Sequence, residues 1–265
     1  MQLPTGRLAP VEFIEGRAKT VAFMVQDLYG LSLKAISGIF TRPRYLGEVL
    51  FQMDEIGVGS IPIIILTGLF TGMVLALQSA VQLSIFGASM YIGKVVAMSM
   101  IKELGPVLSA LMVAGRVGSG IAAEIGSMVD TEQIDAMRVE GSDPIKKLVV
   151  PRLIACMVML PLLTVISDSV GMAGGFFIAI SQFNIDPVFY WKSSFDILEL
   201  RDITLGLLKP VFFGFIIAMV GSYQGLRTHG GTVGVGRSTT ESVVYSSISI
   251  LVIDFFLTKT FMYFF

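Results

Sequence analysis

The 265-residue sequence contains little of what enzyme and metal sites are built from, with one cysteine, one histidine and one tryptophan. The single cysteine, Cys156, excludes a disulfide within the chain. The single histidine, His229, excludes a metal cluster or a catalytic set built around several histidines. We predict that Cys156 is a small packing residue inside a membrane span and that His229 is a solvated loop residue.

A nucleotide-binding phosphate loop of the form GxxxxGK[ST] is also missing. The nearest approach, from Gly87 to Lys94, has the wrong spacing and continues into Val95. Residues 230–236 are glycine-rich but lack the strand–glycine–helix context of such a site, so they predict a flexible loop. With a net charge of −1, the chain has no basic field for nucleic acid. These absences predict a non-catalytic protein that binds no cofactor.

Charge itself is scarce. Only 15% of residues are charged, against roughly 25% in soluble domains, and the mean hydropathy is +0.78. A membrane-crossing helix needs about 20 mostly apolar residues. Five stretches meet this requirement, at 56–80, 89–115, 148–180, 204–225 and 243–265. The sequence therefore predicts an all-α membrane protein with five transmembrane helices.

The N-terminal segment differs from these spans. Residues 11–40 mix apolar and charged side chains, which favours a helix lying along the membrane surface, with a soluble arm as the alternative. The first fifty residues carry six basic side chains and lack the apolar core and cleavage site of a signal peptide. We therefore divide the chain into a cytoplasmic or interfacial segment, 1–50, and a transmembrane domain, 51–265.

Basic residues are distributed unequally between the two sides of the predicted spans, and cytoplasmic loops carry an excess of lysine and arginine. A cytoplasmic N-terminus leaves four basic residues on the outer side: Lys94, Lys192, Arg201 and Lys259. It places thirteen on the inner side: Arg7, Arg17, Lys19, Lys34, Arg42, Arg44, Arg116, Arg138, Lys146, Lys147, Arg152, Arg227 and Arg237. This asymmetry predicts an inner N-terminus and an outer C-terminus.

The five spans show no internal repeat of the kind that forms the substrate site in many secondary transporters. They are better suited to half of a symmetric assembly, in which two copies form the transport pathway between them. Pairs of small residues four apart allow close helix approach, and we interpret them as packing positions. These pairs are Gly68/Gly72, Gly171/Gly175 and Gly221/Gly225.

Ionisable residues lie inside the predicted spans, where they are costly and usually face a cavity or a partner. They are Lys102, Glu103, Asp168, Lys209 and Asp254. One interpretation is a polar wall of a substrate cavity, and the other is structural pairing between helices. The Gly-Pro pair after Glu103, at 105–106, predicts a kink in the second span.

A short polar segment lies between the second and third spans. Asp130 and Gln133 have the spacing of a capping box, and Gly141 is placed to end the helix. Asp143-Pro144 then predicts the start of the next helix. The enclosed cytoplasmic helix is either a dock for another protein or a solvated connector.

Several of these stretches, in this order, resemble the MlaE/YrbE family. They are ELGPV at 103–107, the run from AGR at 114–116 to AEIG at 123–126, TEQIDAM at 131–137, and the run from DP at 143–144 to PR at 151–152. LPLLT at 160–164 and DF at 254–255 also match, and the similarity extends from about residue 45 to the C-terminus. The chain is thereby identified as similar to permease subunits of ABC transporters that move phospholipid between the inner and outer membranes of Gram-negative bacteria.

The resemblance implies a homodimer in the inner membrane, holding phospholipid between its two copies. It implies a cytoplasmic ABC ATPase, a periplasmic MCE-domain protein and, as a possible companion, a STAS-domain protein. Residues matched to the lipid pathway are Lys102, Glu103, Lys209, Asp254, Leu75, Leu77 and Gln78. Residues matched to the ATPase-coupling helix are Thr131, Glu132, Gln133, Ile134, Asp135, Met137, Arg138 and Glu140.

The resemblance also implies a biological role, which is to maintain the lipid asymmetry of the outer membrane. The rival hypothesis is a self-sufficient, ion-coupled secondary carrier that uses Glu103 and Asp254 as proton sites. Such a carrier would transport without ATP and would respond to a pH gradient.

Overall fold

The computed structural model describes the backbone of residues 9–41 and 45–264 and the side chains of 23–41 and 45–263, and every regular element in these ranges is helical. Of the basic residues counted above, Arg7, Arg42 and Arg44 lie outside the described residues. The α-helices are α1 (Ala9–Phe40), α2 (Leu46–Gly57), α3 (Ile61–Ser84), α4 (Ile92–Ser99), α5 (Gly105–Val113), α6 (Ser119–Asp130), α7 (Gln133–Val139), α8 (Val150–Phe183), α9 (Pro187–Asp196), α10 (Leu200–Leu226) and α11 (Gly231–Phe264).

Five helical segments of the described chain are long and apolar enough to cross a membrane, which confirms the predicted number. They are Leu46–Ser84, Ser89–Asp130, Ile145–Phe183, Leu200–Leu226 and Gly231–Tyr263, which we number spans 1 to 5. Each contains most or all of a predicted stretch and extends beyond it. Spans 3 and 4 are the most buried and span 5 the least, so the core of the bundle lies around α8 and α10.

Span 1 is interrupted by a 3₁₀ turn at Val58–Ser60, and α3 begins beside Pro62, whose fixed φ suits a first helical turn. An arginine from span 2 supports this interruption. Arg116 Nη1 donates hydrogen bonds to the Glu55 carbonyl at 3.1 Å and to Ser60 Oγ at 2.9 Å. A carbonyl near the break thus gains a charged donor from another helix.

Glycines set the closest contact in the bundle, between α3 and α8. A Cβ on Gly68 would lie 2.8 Å from the Ser167 carbonyl oxygen, and one on Gly72 would overlap the backbone of Gly171. Because backbone atoms cannot rotate away, only glycine permits this approach. Gly175, Gly221 and Gly225 also meet neighbouring helices, so the prediction that the three glycine pairs are packing positions is confirmed. Cys156 is fully buried in the core, as predicted.

Span 2 contains two π-helical turns, at Met100–Leu104 and Ala114–Gly118. The first lies directly before Gly105 and Pro106, where the sequence predicts a kink. A proline inside a helix removes a hydrogen-bond donor and crowds the preceding turn. The wider turn accommodates that proline and carries Lys102 and Glu103, and π-turns occur frequently at functional sites.

Two local predictions are wrong. Asp130 does not cap the short helix, because α6 continues through Asp130, and Gln133 Nε2 donates to Thr131 Oγ1 instead of completing a capping box. Residues 230–236 are not a flexible loop, because α11 begins at Gly231. Packing of α11 against α6 and α10 stabilises a helix that the glycine content alone disfavours.

Candidate functional site

The central residue of the site is Lys209, which lies on α10 inside span 4 with 3% of its side chain exposed. The neighbouring turn of α10 can approach span 2 because Gly206 has no Cβ to meet the Ile101 carbonyl. Lys209 Nζ donates to the Lys102 carbonyl at 3.0 Å. That carbonyl is four residues before Pro106, which has no N–H to offer it. The Lys102 carbonyl in span 2, which lacks its usual helical donor, thus accepts a hydrogen bond from a lysine in span 4.

Two carboxylates share the ammonium group of Lys209. Nζ lies 2.7 Å from Glu103 Oε2 in span 2 and 3.1 Å from Asp254 Oδ1 in span 5. Thr258, one helical turn after Asp254, accepts from Nζ at 2.8 Å and donates to Glu103 Oε1 at 3.0 Å. Three separate spans are therefore connected through one buried cation, as expected for ionisable groups inside a membrane. We call these four residues the Lys209 network.

A cavity of about 440 Å³ opens beside the Lys209 network, between spans 2, 4 and 5. Lys102 Nζ forms an ion pair with Asp202 Oδ1 at 2.9 Å on its wall, and these side chains are 37% and 16% exposed. Apolar side chains complete the wall: Met98, Leu205, Phe261 and Met262. The cavity combines fixed charges with apolar surface, so it suits an amphipathic ligand.

The donors of Lys209 are already engaged by Lys102, Glu103 and Thr258. Lys102 is more exposed, and its ammonium pairs with the Asp202 carboxylate. An anionic group entering the cavity would therefore meet Lys102 and the exposed Arg201, which also lines the wall, before Lys209, while the Lys209 network holds the wall in place. The described wall offers charged, hydroxyl and apolar groups side by side, an arrangement that suits binding of a ligand with a charged and an apolar part.

The structure brings together four of the residues predicted for the lipid pathway, Lys102, Glu103, Lys209 and Asp254. It does not bring the other three to this cavity. Leu75 and Leu77 are partly buried beside a second apolar cluster around Ala76 and Val96, and Gln78 is exposed on α3.

Asp168 is buried on α8 against Gly105, with Oδ1 out of reach of any hydrogen-bond partner in the described chain. Sequence reasoning missed two residues of the site. Thr258 follows Asp254 by four residues, a spacing that would have signalled it. Asp202 lies in the first turn of α10, and no sequence signal shows that it pairs with Lys102.

The predicted coupling segment forms a seven-residue helix, α7, on the side opposite the cavity along span 2. Glu132 connects α6 to α7 in a left-handed conformation, with φ of 57°. Gly141, with φ of 77°, ends the helix as predicted, and Ser142 N donates to the Met137 carbonyl at 2.9 Å. Asp143 Oδ1 accepts from Ile145 N at 2.9 Å, so the helix restart at Pro144 is confirmed.

The side chains of α7 divide into two sets. Ile134 is buried and Met137 is partly buried, and both pack into the core of the bundle. Arg138 pairs with Asp135 at 2.8 Å on the exposed side. Val139, which sequence reasoning missed, is an apolar side chain with 89% exposure. The surface available to another protein is therefore mainly polar, with Val139 as its most exposed large apolar side chain, and the buried Ile134 is not part of it.

The fold and the cavity define an all-α, multi-pass membrane protein with a charged pocket between its spans. A family model described as "Permease MlaE" matches residues 49–260. A probable ABC transporter permease protein of Rickettsia typhi is 46% identical over 228 residues, covering 86% of this chain and 88% of the relative. The chain belongs to the MlaE permease family, as the resemblance in its motifs predicted.

Two further relatives extend the range of similarity. A probable ABC transporter permease protein of Synechocystis is 47% identical over 211 residues, 80% of each chain. The intermembrane phospholipid transport system permease protein MlaE of Haemophilus influenzae is 33% identical over 258 residues, 94% of this chain and 97% of the relative. The similarity therefore spans nearly the whole permease.

Proposed function

We propose that this chain is the membrane-spanning permease subunit of an ATP-driven phospholipid transporter. The observation that carries the proposal is the cavity beside the Lys209 network, which combines charged and apolar walls within a family of permeases. A phospholipid presents a charged headgroup and apolar chains, and this wall offers surface to both. The name of the Haemophilus influenzae relative, which specifies intermembrane phospholipid transport, supports phospholipid as the substrate class.

The lipid pathway forms between two copies of the chain. Span 5 is the least buried span and exposes Leu251, Val252, Phe255 and Phe256, which leaves surface for the bilayer or for a second copy. Leu75, Leu77 and Gln78, on span 1, lie outside the cavity of one chain. In the proposed dimer they line the pathway on the acyl-chain side.

The permease lies in the bacterial inner membrane with its N-terminus in the cytoplasm and its C-terminus in the periplasm. The unequal distribution of lysine and arginine supports this orientation. A periplasmic MCE-domain protein receives or delivers the lipid on the outer side, and the transport maintains the asymmetry of the outer membrane. A cytoplasmic ABC ATPase, accompanied by a STAS-domain protein, supplies the energy.

The movement of the ATPase is transmitted to the permease through the segment at 131–140. Seven of its side chains are exposed polar groups or the apolar Val139, whereas Ile134 anchors the segment to the core. Span 2 continues from α6 through two π-turns to Glu103, so movement of α7 reaches the Lys209 network along one continuous helical segment. ATPase closure thereby changes the cavity.

The first experiment reconstitutes the chain with co-purified partners in vesicles and measures transfer of fluorescent phospholipid. We expect transfer that requires ATP and falls severalfold in Lys102→Met, because Lys102 is the ammonium open to a headgroup. Transport by the chain alone, driven by a pH gradient and indifferent to ATP, would contradict the proposal and favour the ion-coupled carrier.

The second experiment tests coupling. Val139→Asp places a charge on the exposed face of α7, and Val233→Asp makes the same change at the start of α11, where the side chain is 82% exposed. We expect Val139→Asp to weaken ATPase association and ATP-coupled transfer, and Val233→Asp to retain both. Equal loss in the two variants would show that the effect belongs to the whole cytoplasmic surface and not to α7.

A further inference from the structure

A second cavity lies at the end of the bundle opposite the Lys209 network. It occupies about 400 Å³ between α1, the end of α10 and the start of α11, a size within the roughly 300–1,000 Å³ of ligand pockets. Its principal polar and aromatic walls are Tyr223, Arg227, His229, Arg237, Glu241 and Tyr245. None of these residues contributes to the cavity proposed for substrate.

Two guanidinium groups line this second cavity, each beside one carboxylate, so an anion would bind there by competing with two ion pairs. Arg237 Nε donates to Glu241 Oε1 at 2.8 Å on the same helix. Arg227 lies 3.6 Å from Asp27 on α1, and its Nη1 donates to the Tyr223 hydroxyl. Exposed pairs of this kind contribute little, so a phosphate can recruit both guanidinium groups, whose planar donors match its oxygens.

The position of the second cavity favours a lipid over a soluble anion. Helix α1 forms one wall through Met24. Its outward face is apolar and exposed at Tyr29, Leu33, Ile36 and Phe40, a spacing that keeps the four on one side of the helix. A helix with such a face, beside charged residues on the other, is typical of the membrane interface. The cavity therefore opens at the level of lipid headgroups.

An apolar track leads away from the mouth of the cavity along α11. Tyr245, on the cavity wall, is followed at helical spacing by Ile248, Val252 and Phe255, all of them exposed. This track lies below the arginines in the direction of the bilayer centre. A ligand with a phosphate at one end and acyl chains at the other would contact the arginines and the track together.

We propose that this cavity binds the headgroup of an anionic phospholipid, of the phosphatidylglycerol class, through Arg227 and Arg237. The site is separate from the transport pathway and anchors α1 to the start of α11. Basic pockets between spanning helices on the cytoplasmic side bind anionic headgroups in other membrane proteins. Only the choice of the inner leaflet rests on the orientation proposed above.

The test is a titration of the delipidated, detergent-purified protein with dioleoylphosphatidylglycerol, followed by native mass spectrometry. We expect Arg227→Gln/Arg237→Gln to weaken binding of one lipid at least about tenfold, because hydrogen bonds to charged groups are lost. The matched control, Lys146→Gln/Lys147→Gln, removes two charges at the same end outside the cavity and should bind as the wild type does. Any lipid bound at the Lys209 network is present in the wild type and in both double variants, so it does not affect the comparison.

Three results would overturn the proposal: equal weakening in both double variants, dioleoylphosphatidylcholine binding as tightly as phosphatidylglycerol, or displacement of the lipid by equimolar inorganic phosphate. The single variant Arg237→Gln controls for misfolding, because the Arg237 side chain is 81% exposed and its ion pair, with Glu241, lies within one helix. We expect this single variant to retain wild-type thermal stability and to bind the lipid more weakly. Lipid transfer is a separate measurement, so a failure of the proposed function and a failure of this site are distinguishable.

Discussion

The two ends of this permease hold their charges in opposite ways. At the Lys209 network one buried ammonium connects spans 2, 4 and 5. At the opposite end of the bundle, the pairs Arg138–Asp135 and Arg237–Glu241 each lie within one helix and face solvent. Charges of the first kind are held in place by the buried Lys209, whose ammonium has little water to replace a lost partner. Charges of the second kind are available to other molecules, because water already solvates them.

The largest effect that this comparison predicts follows from removing the buried cation. Lys209→Met leaves Glu103 and Asp254 facing each other without compensation, and we expect a loss of about 3 kcal/mol in the free energy of unfolding. Chemical denaturation of the detergent-purified protein measures this loss. The triple variant Lys209→Met/Glu103→Gln/Asp254→Asn should recover most of the stability and remain defective in lipid transfer. A triple variant as unstable as the single one would assign the loss to packing.

A buried charge at the end of the bundle opposite the Lys209 network separates the effect of burial from the effect of location. Arg152 is 3% exposed, and its Nη2 lies 2.6 Å from Glu124 Oε1. Glu124→Gln weakens the ion pair of this arginine, and we expect a loss of about 2 kcal/mol in the free energy of unfolding, reduced from the fully buried case because Glu124 is partly exposed. Asp135→Asn, at an exposed pair on the same side, is the matched control and should change stability little. Equal losses would show that burial does not decide the cost.

Lys102 is intermediate in this series, since its pair with Asp202 is partly exposed. We expect Lys102→Met to lower the free energy of unfolding by about 1 kcal/mol, and Lys102→Arg to retain it. Repeating the denaturation at high salt tests the cause, because screening should reduce the difference between Lys102→Met and wild type. A difference that is unaffected by salt would point to lost apolar contacts of the lysine stem.

The smallest effect is expected at the exposed face of α7. Arg138→Gln breaks a pair whose members are both mostly exposed, so the free energy of unfolding should change by less than about 0.5 kcal/mol. Under the proposed function, the same variant weakens association with the ATPase, which a pull-down from reconstituted components measures. A stability loss as large as that of Glu124→Gln would contradict the comparison.

The number of spans and the intramembrane charges could be predicted because both follow from the cost of placing backbone and charge in hydrocarbon. The partners of those charges could not. Lys102 and Lys209 look alike in the sequence. Lys209 forms ion pairs with Glu103 and Asp254, whereas Lys102 forms one with Asp202. The choice depends on where Gly206 lets α10 approach span 2, which is a tertiary effect.

The helices at the end opposite the Lys209 network show a similar limit. Ile134 and Met137 form an apolar face that sequence spacing identifies, but spacing cannot say whether that face meets the chain's own core or another protein. The glycine-rich start of α11 is helical although it is partly exposed and of low intrinsic propensity, because it continues into a long helix that packs against α6 and α10. The local sequence pattern thus identified the apolar faces of the helices, and tertiary packing decided what those faces contact.

The glycine contact between α3 and α8 has a consequence for biosynthesis. Gly72 meets the backbone of Gly171, and about 100 residues must be added before the second glycine exists, roughly 5–20 s at ordinary rates of translation. During that interval span 1 is in the membrane without its principal neighbour. The small-residue groove on α3 is then covered by lipid or by the insertion machinery, so the arrival of span 3 is the event that commits the nascent chain to its final helix arrangement.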